Sequence, residues 1–153
     1  MALKQQIEQD LKTALLSGDD QRVMTLRSLK NAVLYAEVAK NVRETGLSDD
    51  DITQLFLKES KKRQESADLY SQGHNEERAK SELNEKQIID SYLPKQLSDS
   101  DLQVIIDDVI RSNGGAVSLQ AMGQIIGKVK QKVGASADGS TIARLTKDRL
   151  SKE

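Results

Sequence analysis

Apolar residues recur along this chain at spacings of three and four, which is the period of an amphipathic helix. In the first 93 residues the pattern predicts four long helices with narrow apolar stripes. The stripes run from Leu3 to Leu15, from Val23 to Ala36, from Ile52 to Tyr70 and from Leu83 to Leu93. Capping residues and glycines at the borders, among them Ser48 and Gly18, predict where these helices begin and end.

The only proline of the chain, Pro94, follows the fourth stripe. Its ring clashes with a preceding helical turn, so we expect it to end the fourth helix. Ser98-Asp99-Ser100-Asp101 then has the spacing of a capping box, which predicts a new start. Three shorter aliphatic stripes follow, from Leu102 to Ile110, from Leu119 to Val133 and from Ile142 to Leu150, and either Asp138 or Ser140 can begin the last helix.

No segment alternates apolar and polar residues with the period of a strand, so the predicted fold class is all-α. The long helices predict an N-terminal hairpin or bundle over residues 1–93. The short ones, joined by glycines, predict a small three-helix module over residues 96–153. We expect Pro94 to act as the hinge between the two domains.

Acidic and basic residues are nearly balanced over the whole chain, but basic residues are in excess in its C-terminal part. The 153 residues include 23 Lys and Arg against 24 Asp and Glu, so the overall balance is not that of a typical nucleic-acid-binding protein. From Ala116 onward there are seven basic residues and only three acidic ones. This segment is therefore where contact with a phosphate backbone is to be expected.

Several classes of site are excluded by composition. The chain has no cysteine and one histidine, which excludes disulfides, thiolate nucleophiles and the Cys-based or multi-His metal sites. The amphipathic N-terminus contains acids and is typical of neither a secretory signal nor a membrane span. We expect a soluble cytoplasmic protein that does not enter the membrane.

Three further patterns have both a chemical and a structural interpretation. Asp49 to Asp51 could hold magnesium, but a helix start favours the same acids. The glycines and lysine from Gly123 to Lys128 do not have the spacing of a phosphate-binding loop, and Gly123 and Gly127 are more typical of close helix approach. His74 has no residue spaced to form a triad with it. We therefore expect no catalytic residue, metal or cofactor.

Two groups of basic residues are candidates for binding nucleic acid. The first lies on the last two helices and has few acids near it in sequence, and the turn from Gly134 to Gly139 could add backbone N–H donors. Its members are Lys128, Lys130, Lys132, Arg144 and Lys147. The second, weaker surface comprises Arg22, Arg27, Lys30, Lys62 and Arg63, which could equally be ion-paired with Glu37, Glu59 or Asp68.

Several stretches spread nearly from end to end resemble one family. The most specific are Tyr92-Leu-Pro-Lys-Gln-Leu-Ser98 and the turn Ala137-Asp138-Gly139, accompanied by Arg22-Val-Met-Thr-Leu-Arg27-Ser-Leu-Lys30, Lys62-Arg63-Gln64 and Met122-Gly123. On these residues the chain resembles the YqeY family. Where that family commonly has Met-Gly-Lys, this chain has Met122-Gly123-Gln124, and its lysine is displaced to Lys128.

The C-terminal half of YqeY-family proteins is similar to the tail domain of GatB, a subunit of the tRNA-dependent glutamine amidotransferase. The resemblance implies contact with tRNA, since the tail has that role in the enzyme while the glutaminase and kinase-transferase sites lie elsewhere. This chain has no segment that could supply those sites. A carbon–nitrogen ligase activity with glutamine as amide donor would thus be inherited from the shared tail and would not be autonomous.

Two hypotheses from different classes follow. The leading one is a non-catalytic accessory protein that binds tRNA or another structured RNA through the first basic group. The alternative is a protein-interaction adaptor whose long N-terminal helices dock a partner or self-associate. Salt dependence separates them, because binding to phosphates weakens steeply with ionic strength and an apolar helix interface does not.

Overall fold

The computed structural model describes residues 2–115 and 118–151, and all of the regular secondary structure in these ranges is helical. The predicted all-α fold class is confirmed. Seven α-helices are present in the described ranges, with short 3₁₀ turns at Leu119–Ala121 and Gly134–Ser136. The helices are α1 (Leu3–Ser17), α2 (Asp20–Ala39), α3 (Asp49–Gln72), α4 (Glu76–Asp90), α5 (Asp99–Ser112), α6 (Met122–Val133) and α7 (Gly139–Leu150).

Most helices begin where a side chain can accept a hydrogen bond from the first turn. Ser48 and Ser98 each accept one from the backbone N–H three residues on, at 3.1 Å in both cases. Asp138, one of the two candidates for the last helix, accepts the N–H of Ser140 at 2.9 Å. These bonds satisfy N–H groups that have no partner within the helix, so the capping pattern of the sequence marks the starts reliably.

The chain divides into two compact units, Met1–Leu93 and Pro94–Glu153. In the first unit α1 packs against α2, α3 runs along α4, and α2 also contacts α3 and α4. Most of the core lies on α1 and α2. It is formed by Ile7, Leu11, Ala14, Val23, Leu26, Leu29, Val33, Ile52, Phe56 and Ile89.

The second unit packs α5, α6 and α7 around an aliphatic core. Its buried members are Leu102, Ile106, Val109, Ile110, Ile125, Val129, Val133, Ala137, Ile142, Leu145 and Leu150. The segment before α5 is tied to the turn before α7, because the Leu97 N–H donates to the Ser136 carbonyl at 2.8 Å.

The fourth helix ends earlier than the proline alone predicts. α4 ends at Asp90. The next residues form hydrogen bonds to the third residue back, as in a 3₁₀ turn: the Tyr92 N–H donates to the Ile89 carbonyl and the Leu93 N–H to the Asp90 carbonyl, both at 3.0 Å. Since a proline disfavours helical geometry at the residue before it, the effect of Pro94 reaches back into this turn. Whether Pro94 acts as a hinge stays a prediction.

A buried carboxylate joins three parts of the first unit. Glu37 is only 2% exposed, and both of its oxygens accept from Lys4 Nζ at 3.1 Å. One of them also accepts the Leu47 N–H at 3.1 Å. The hydrogen bond from Lys4 is the largest cause that lowers the pKa of Glu37, and it outweighs the opposing effect of burial. The loop returns close to Glu37 at Gly46, whose φ of +78° favours glycine.

The two glycines of α6 do not serve helix packing within the described chain. Gly123 and Gly127 are exposed, and apart from adjacent residues and the backbone of the same helix, no described atom lies within 4 Å of where a Cβ would stand on either. The expectation that another helix of the chain approaches closely here is therefore wrong. Gly127, an exposed glycine in the interior of α6, is costly by about 1 kcal/mol relative to alanine.

The cost of Gly127 can be measured directly. Gly127→Ala should raise the free energy of unfolding by about 1 kcal/mol, because alanine has the higher helix propensity and its Cβ meets open space. Gly134→Ala is the matched control in the same unit. Its φ of +54° is strained for any residue with a Cβ, so we expect a loss of about 1 kcal/mol. Urea denaturation followed by circular dichroism measures both changes, and a stability that falls in Gly127→Ala would contradict the first expectation.

Glu37 should make the protein sensitive to acid. Its pKa is lowered in the folded state, so its stabilising contribution is full above the pKa of an unfolded glutamate, about 4.3, and is lost as the pH falls through the folded-state value. Glu37→Gln should lower the free energy of unfolding at pH 7 by about 2 kcal/mol. Urea denaturation from pH 7 to pH 3 should show the two curves converging in acid. Parallel curves would contradict this, and Glu44→Gln, at an exposed loop position, is the control.

Candidate nucleic-acid interface

Helix periodicity separates the three lysines of α6. Lys128, Lys130 and Lys132 are all exposed, while Val129 and Val133 belong to the buried stripe between them. Successive residues of a helix are rotated by about 100°, so Lys128 and Lys132 flank the buried stripe on one side and Lys130 flanks it on the other. The structure therefore presents these charges on two flanks of α6.

Each flank of α6 faces a different part of the second unit. Lys128 Nζ donates to the side-chain oxygen of Asn113, after α5, at 2.6 Å. Lys130 extends over the start of α7, where its Nζ is 3.5 Å from the position a Cβ would take on Gly139. None of the three α6 lysines forms an ion pair with a carboxylate of the described chain. Their positive charges are thus uncompensated by side chains of the described ranges.

The two cations predicted on α7 differ from each other. Arg144 Nη2 lies 3.2 Å from Asp99 Oδ2, at the start of α5, so its charge is balanced in part. Lys147 is exposed and has no carboxylate partner among the described residues. A third cation, Arg149, forms an ion pair with Asp107, with 2.8 Å between Arg149 Nε and Asp107 Oδ1. Of the predicted group, Lys147 therefore joins the α6 lysines as an uncompensated charge.

The turn from Gly134 to Gly139 does not present a free helix start. The Asp138 carboxylate accepts the N–H of Ser140 and the hydroxyls of Ser140 and Thr141, at 2.9, 2.9 and 3.3 Å. A carboxylate at a helix N-terminus occupies the position that a phosphate would take. The lysines, and not this turn, are then the groups available to an anionic ligand.

The second predicted surface consists mostly of cations with acidic partners. Arg22 is 3.7 Å from Asp19, Lys30 is 3.9 Å from Glu8, and Lys62 is 3.4 Å from Glu59. Glu59 is thus one of the three acids that we expected from the sequence as ion-pair partners of this surface. The other two are occupied elsewhere, since Glu37 pairs with Lys4 and Asp68 accepts from Gln64.

Arg63 has the least exposed side chain among the paired cations of that surface. Its side chain is 16% exposed, with Nη1 3.1 Å from Glu59 Oε2 and Nε 3.1 Å from Glu85 Oε2. It also donates to Ser28 Oγ at 3.2 Å, so it links α2, α3 and α4. Burial, followed by repulsion from Glu85, raises the pKa of nearby Glu82. Arg63 neutralises this acidic cluster and is a structural residue.

Arg27 is the exception among the five. It is exposed on α2 and has no carboxylate partner in the described part of the chain. It lines an open groove of about 760 Å³ between α2 and α3, together with Met24 and Tyr35. Its surroundings are mixed, because Asn31 and Glu59 line the same groove.

The Tyr92-to-Ser98 segment has structural contacts that sequence reasoning missed. The Tyr92 hydroxyl donates to Asp10 Oδ2 at 2.5 Å, and its ring meets Phe56 edge-on at 6.1 Å. Burial, and then the contact with Asp10, raise the pKa of Tyr92. Further along, Gln96 Nε2 donates to the carbonyl of Ala135 at 2.8 Å. The segment thus contributes anchoring contacts to each of the two units.

A comparison with known families agrees with these motifs. The model of the family described as Yqey-like protein matches residues 4–150 of the chain. The chain belongs to the YqeY family. A search of the curated proteins found no match. In this YqeY-family protein the residues that carried the resemblance, Tyr92 and Asp138 among them, make the hydrogen bonds that join and begin helices.

Two of the acidic residues at the start of α3 have structural contacts in this YqeY-family protein. Asp49 accepts the Leu3 N–H at 3.2 Å and Asp51 pairs with Lys40 at 3.4 Å, so the acids at the start of α3 hold neighbouring segments. No cluster of three metal-binding side chains occurs among residues 2–115 and 118–151. Within the same ranges, every helix is too short or too polar to cross a membrane.

Arg63 and Lys62 provide a test of which cations are structural. Arg63→Met should lower the free energy of unfolding by about 2 to 4 kcal/mol, because it leaves Glu59, Glu82 and Glu85 without their shared counter-ion. Lys62→Met removes the same charge from an exposed pair and should cost less than about 0.5 kcal/mol. Urea denaturation of both variants gives the comparison, and equal costs would contradict the assignment.

Proposed function

We propose that this protein is a non-catalytic RNA-binding accessory protein whose C-terminal unit contacts the phosphate backbone of tRNA or another structured RNA. The observation that carries the proposal is the set of exposed lysines without described carboxylate partners, Lys128, Lys130, Lys132 and Lys147. Phosphate binding draws on such charges, because each contact releases condensed counter-ions from the nucleic acid. Cations already held by an acid, such as Arg144 and Arg63, contribute less.

The exposed glycines of α6 support the same interface. Gly127 lies three residues before Lys130, so both are on one face of the helix. A helix surface without Cβ atoms allows a sugar–phosphate strand to approach the backbone closely. This gives a reason for keeping Gly127 at a position where alanine would stabilise the fold.

The similarity of the C-terminal half to the GatB tail supports tRNA as the RNA. It does not extend the proposal to amide transfer, because this chain has no segment that could supply the glutaminase or kinase-transferase sites. We expect no glutamine-dependent turnover by the purified protein with charged tRNA, ATP and magnesium. Turnover under these conditions would replace the accessory role with an enzymatic one.

The alternative function, a protein-interaction adaptor, is favoured by a separate observation in the first unit. Met24, Tyr35 and Val38 are exposed on α2 to 65%, 76% and 56%. Large apolar side chains grouped on one exposed face are typical of protein contact sites. This face is on a different unit from the lysines, so the two functions are compatible.

The RNA proposal predicts binding that depends on salt and on the C-terminal lysines. Fluorescence anisotropy with total tRNA should show affinity falling with ionic strength, with a logarithmic slope of about −0.7 to −0.9 for each phosphate neutralised. The variant Lys128→Ala/Lys130→Ala/Lys132→Ala/Lys147→Ala should weaken binding at least about tenfold and flatten that slope by about 3.

A matched control distinguishes the loss of a specific binding site from a general effect of the protein's net charge. Lys12→Ala/Lys58→Ala/Lys62→Ala/Lys80→Ala removes four exposed positive charges from the first unit. We expect it to change tRNA affinity by less than about threefold. Equal losses in the two variants, or no binding by the wild-type protein at low salt, would overturn the proposal.

A further inference from the structure

The exposed side of α2 carries a second apolar stripe, opposite the one in the core. Its residues recur at the three-, four- and seven-residue spacings of a coiled-coil seam. Four of the nine large hydrophobic residues exposed in the described chain lie on it. The stripe, called the α2 face below, consists of Met24, Arg27, Asn31, Leu34, Tyr35 and Val38.

We propose that two copies of this protein associate through the α2 face, with their α2 helices antiparallel and a two-fold axis near Asn31. The face then buries its apolar residues against themselves. Such an isologous contact requires a surface that is complementary to its own rotated image. This inference is independent of RNA binding.

The α2 face meets that requirement, because its residues are arranged symmetrically about Asn31. Met24 and Val38 are each seven residues from Asn31, and Arg27 and Tyr35 are each four residues from it. An antiparallel pair therefore places Met24 against Val38 of the second copy. It also places Arg27 against the second copy's Tyr35.

The contact between Arg27 and Tyr35 decides the direction of the two helices. Arg27 has no carboxylate partner in the described ranges, and a guanidinium over a tyrosine ring is a favourable pair. The chain already contains one such pair, with Arg78 5.8 Å from the centre of the Tyr70 ring. A parallel arrangement would instead bring the two Arg27 side chains together, and like charges repel.

The centre and the ends of the face agree with this arrangement. The Asn31 amide both donates and accepts, so it can pair with its own copy across the axis, and an asparagine at a seam position defines the register. At the end, Asp20 lies seven residues before Arg27 on the same stripe. It comes opposite the segment after the second copy's α2, where Arg43 is exposed.

The groove beside the face has room for the tyrosine ring. It measures about 760 Å³, with the small residues Ser28, Ala32 and Ala36 on its α2 side and Leu55 and Glu59 on its α3 side. Arg27 and Asn31 line the same groove. A Tyr35 ring from the second copy can therefore lie beside Arg27 and against this small-residue wall.

Sedimentation velocity of the full chain, without RNA and over a wide concentration range, tests the association. We expect a monomer–dimer equilibrium that Asn31→Asp weakens at least about tenfold, since two carboxylates then meet at the axis. Leu69→Lys, at a leucine of α3 that is 67% exposed, is the control and should leave the equilibrium unchanged. A protein that stays monomeric at every concentration overturns the proposal and leaves the face to a different protein.

A charge exchange tests the antiparallel register. Arg27→Glu and Tyr35→Lys should each weaken the dimer, and the double variant should recover to within about threefold by forming an ion pair across the axis. The two positions are eight residues apart in one helix, so they do not pair within a copy. A double variant that is as weak as the worse single one overturns the register.

The absence of cysteine from the chain allows a second test by disulfide formation. Under mild oxidation, Asn31→Cys should cross-link to itself, because the two positions meet at the axis. Met24→Cys should not cross-link to itself but should cross-link to a copy carrying Val38→Cys. Self-linking by Met24→Cys would indicate parallel helices and overturn the proposed arrangement.

Discussion

Neutralisation of buried and partly buried acidic side chains is the constraint that arranges the charges of the first unit. Glu37 lies in the core-facing stripe of α2, and Glu59, Glu82 and Glu85 gather between α3 and α4. A carboxylate in such a place must be paired or protonated, so Lys4 and Arg63 are committed to these acids. Cations without a described carboxylate partner occur in both units, and on α6 and α7 they form the group Lys128, Lys130, Lys132 and Lys147.

Local chemistry made the helices predictable. Ser48 and Ser98 begin helices through the same bond to the third residue on, and Gly18 ends α1 in a left-handed conformation. The last residue of α4 was harder to predict, because it depends on a turn whose conformation Pro94 restricts from beyond the helix itself. Hydrophobic periodicity and capping residues therefore predict that a helix is present more accurately than they predict the residue at which it ends.

The candidate sites were less predictable, because partners of a charge lie far away in sequence. Arg144 pairs with Asp99 across 45 residues and Arg63 with Glu85 across 22, and no local pattern indicates either contact. Two features were visible in principle. The 100° rotation per residue separates Lys130 from Lys128, and the spacing of four from Val33 puts Glu37 on the buried face.

The bond from Tyr92 to Asp10 has a consequence for the order of folding during synthesis. It closes a span of 82 residues and joins the first helix of the unit to the segment after its last. Contacts so distant in sequence form late, after local helices have appeared. On the ribosome, the first unit cannot complete its core until the Tyr92 segment has emerged, so part of the apolar surface of α1 and α2 stays exposed until then.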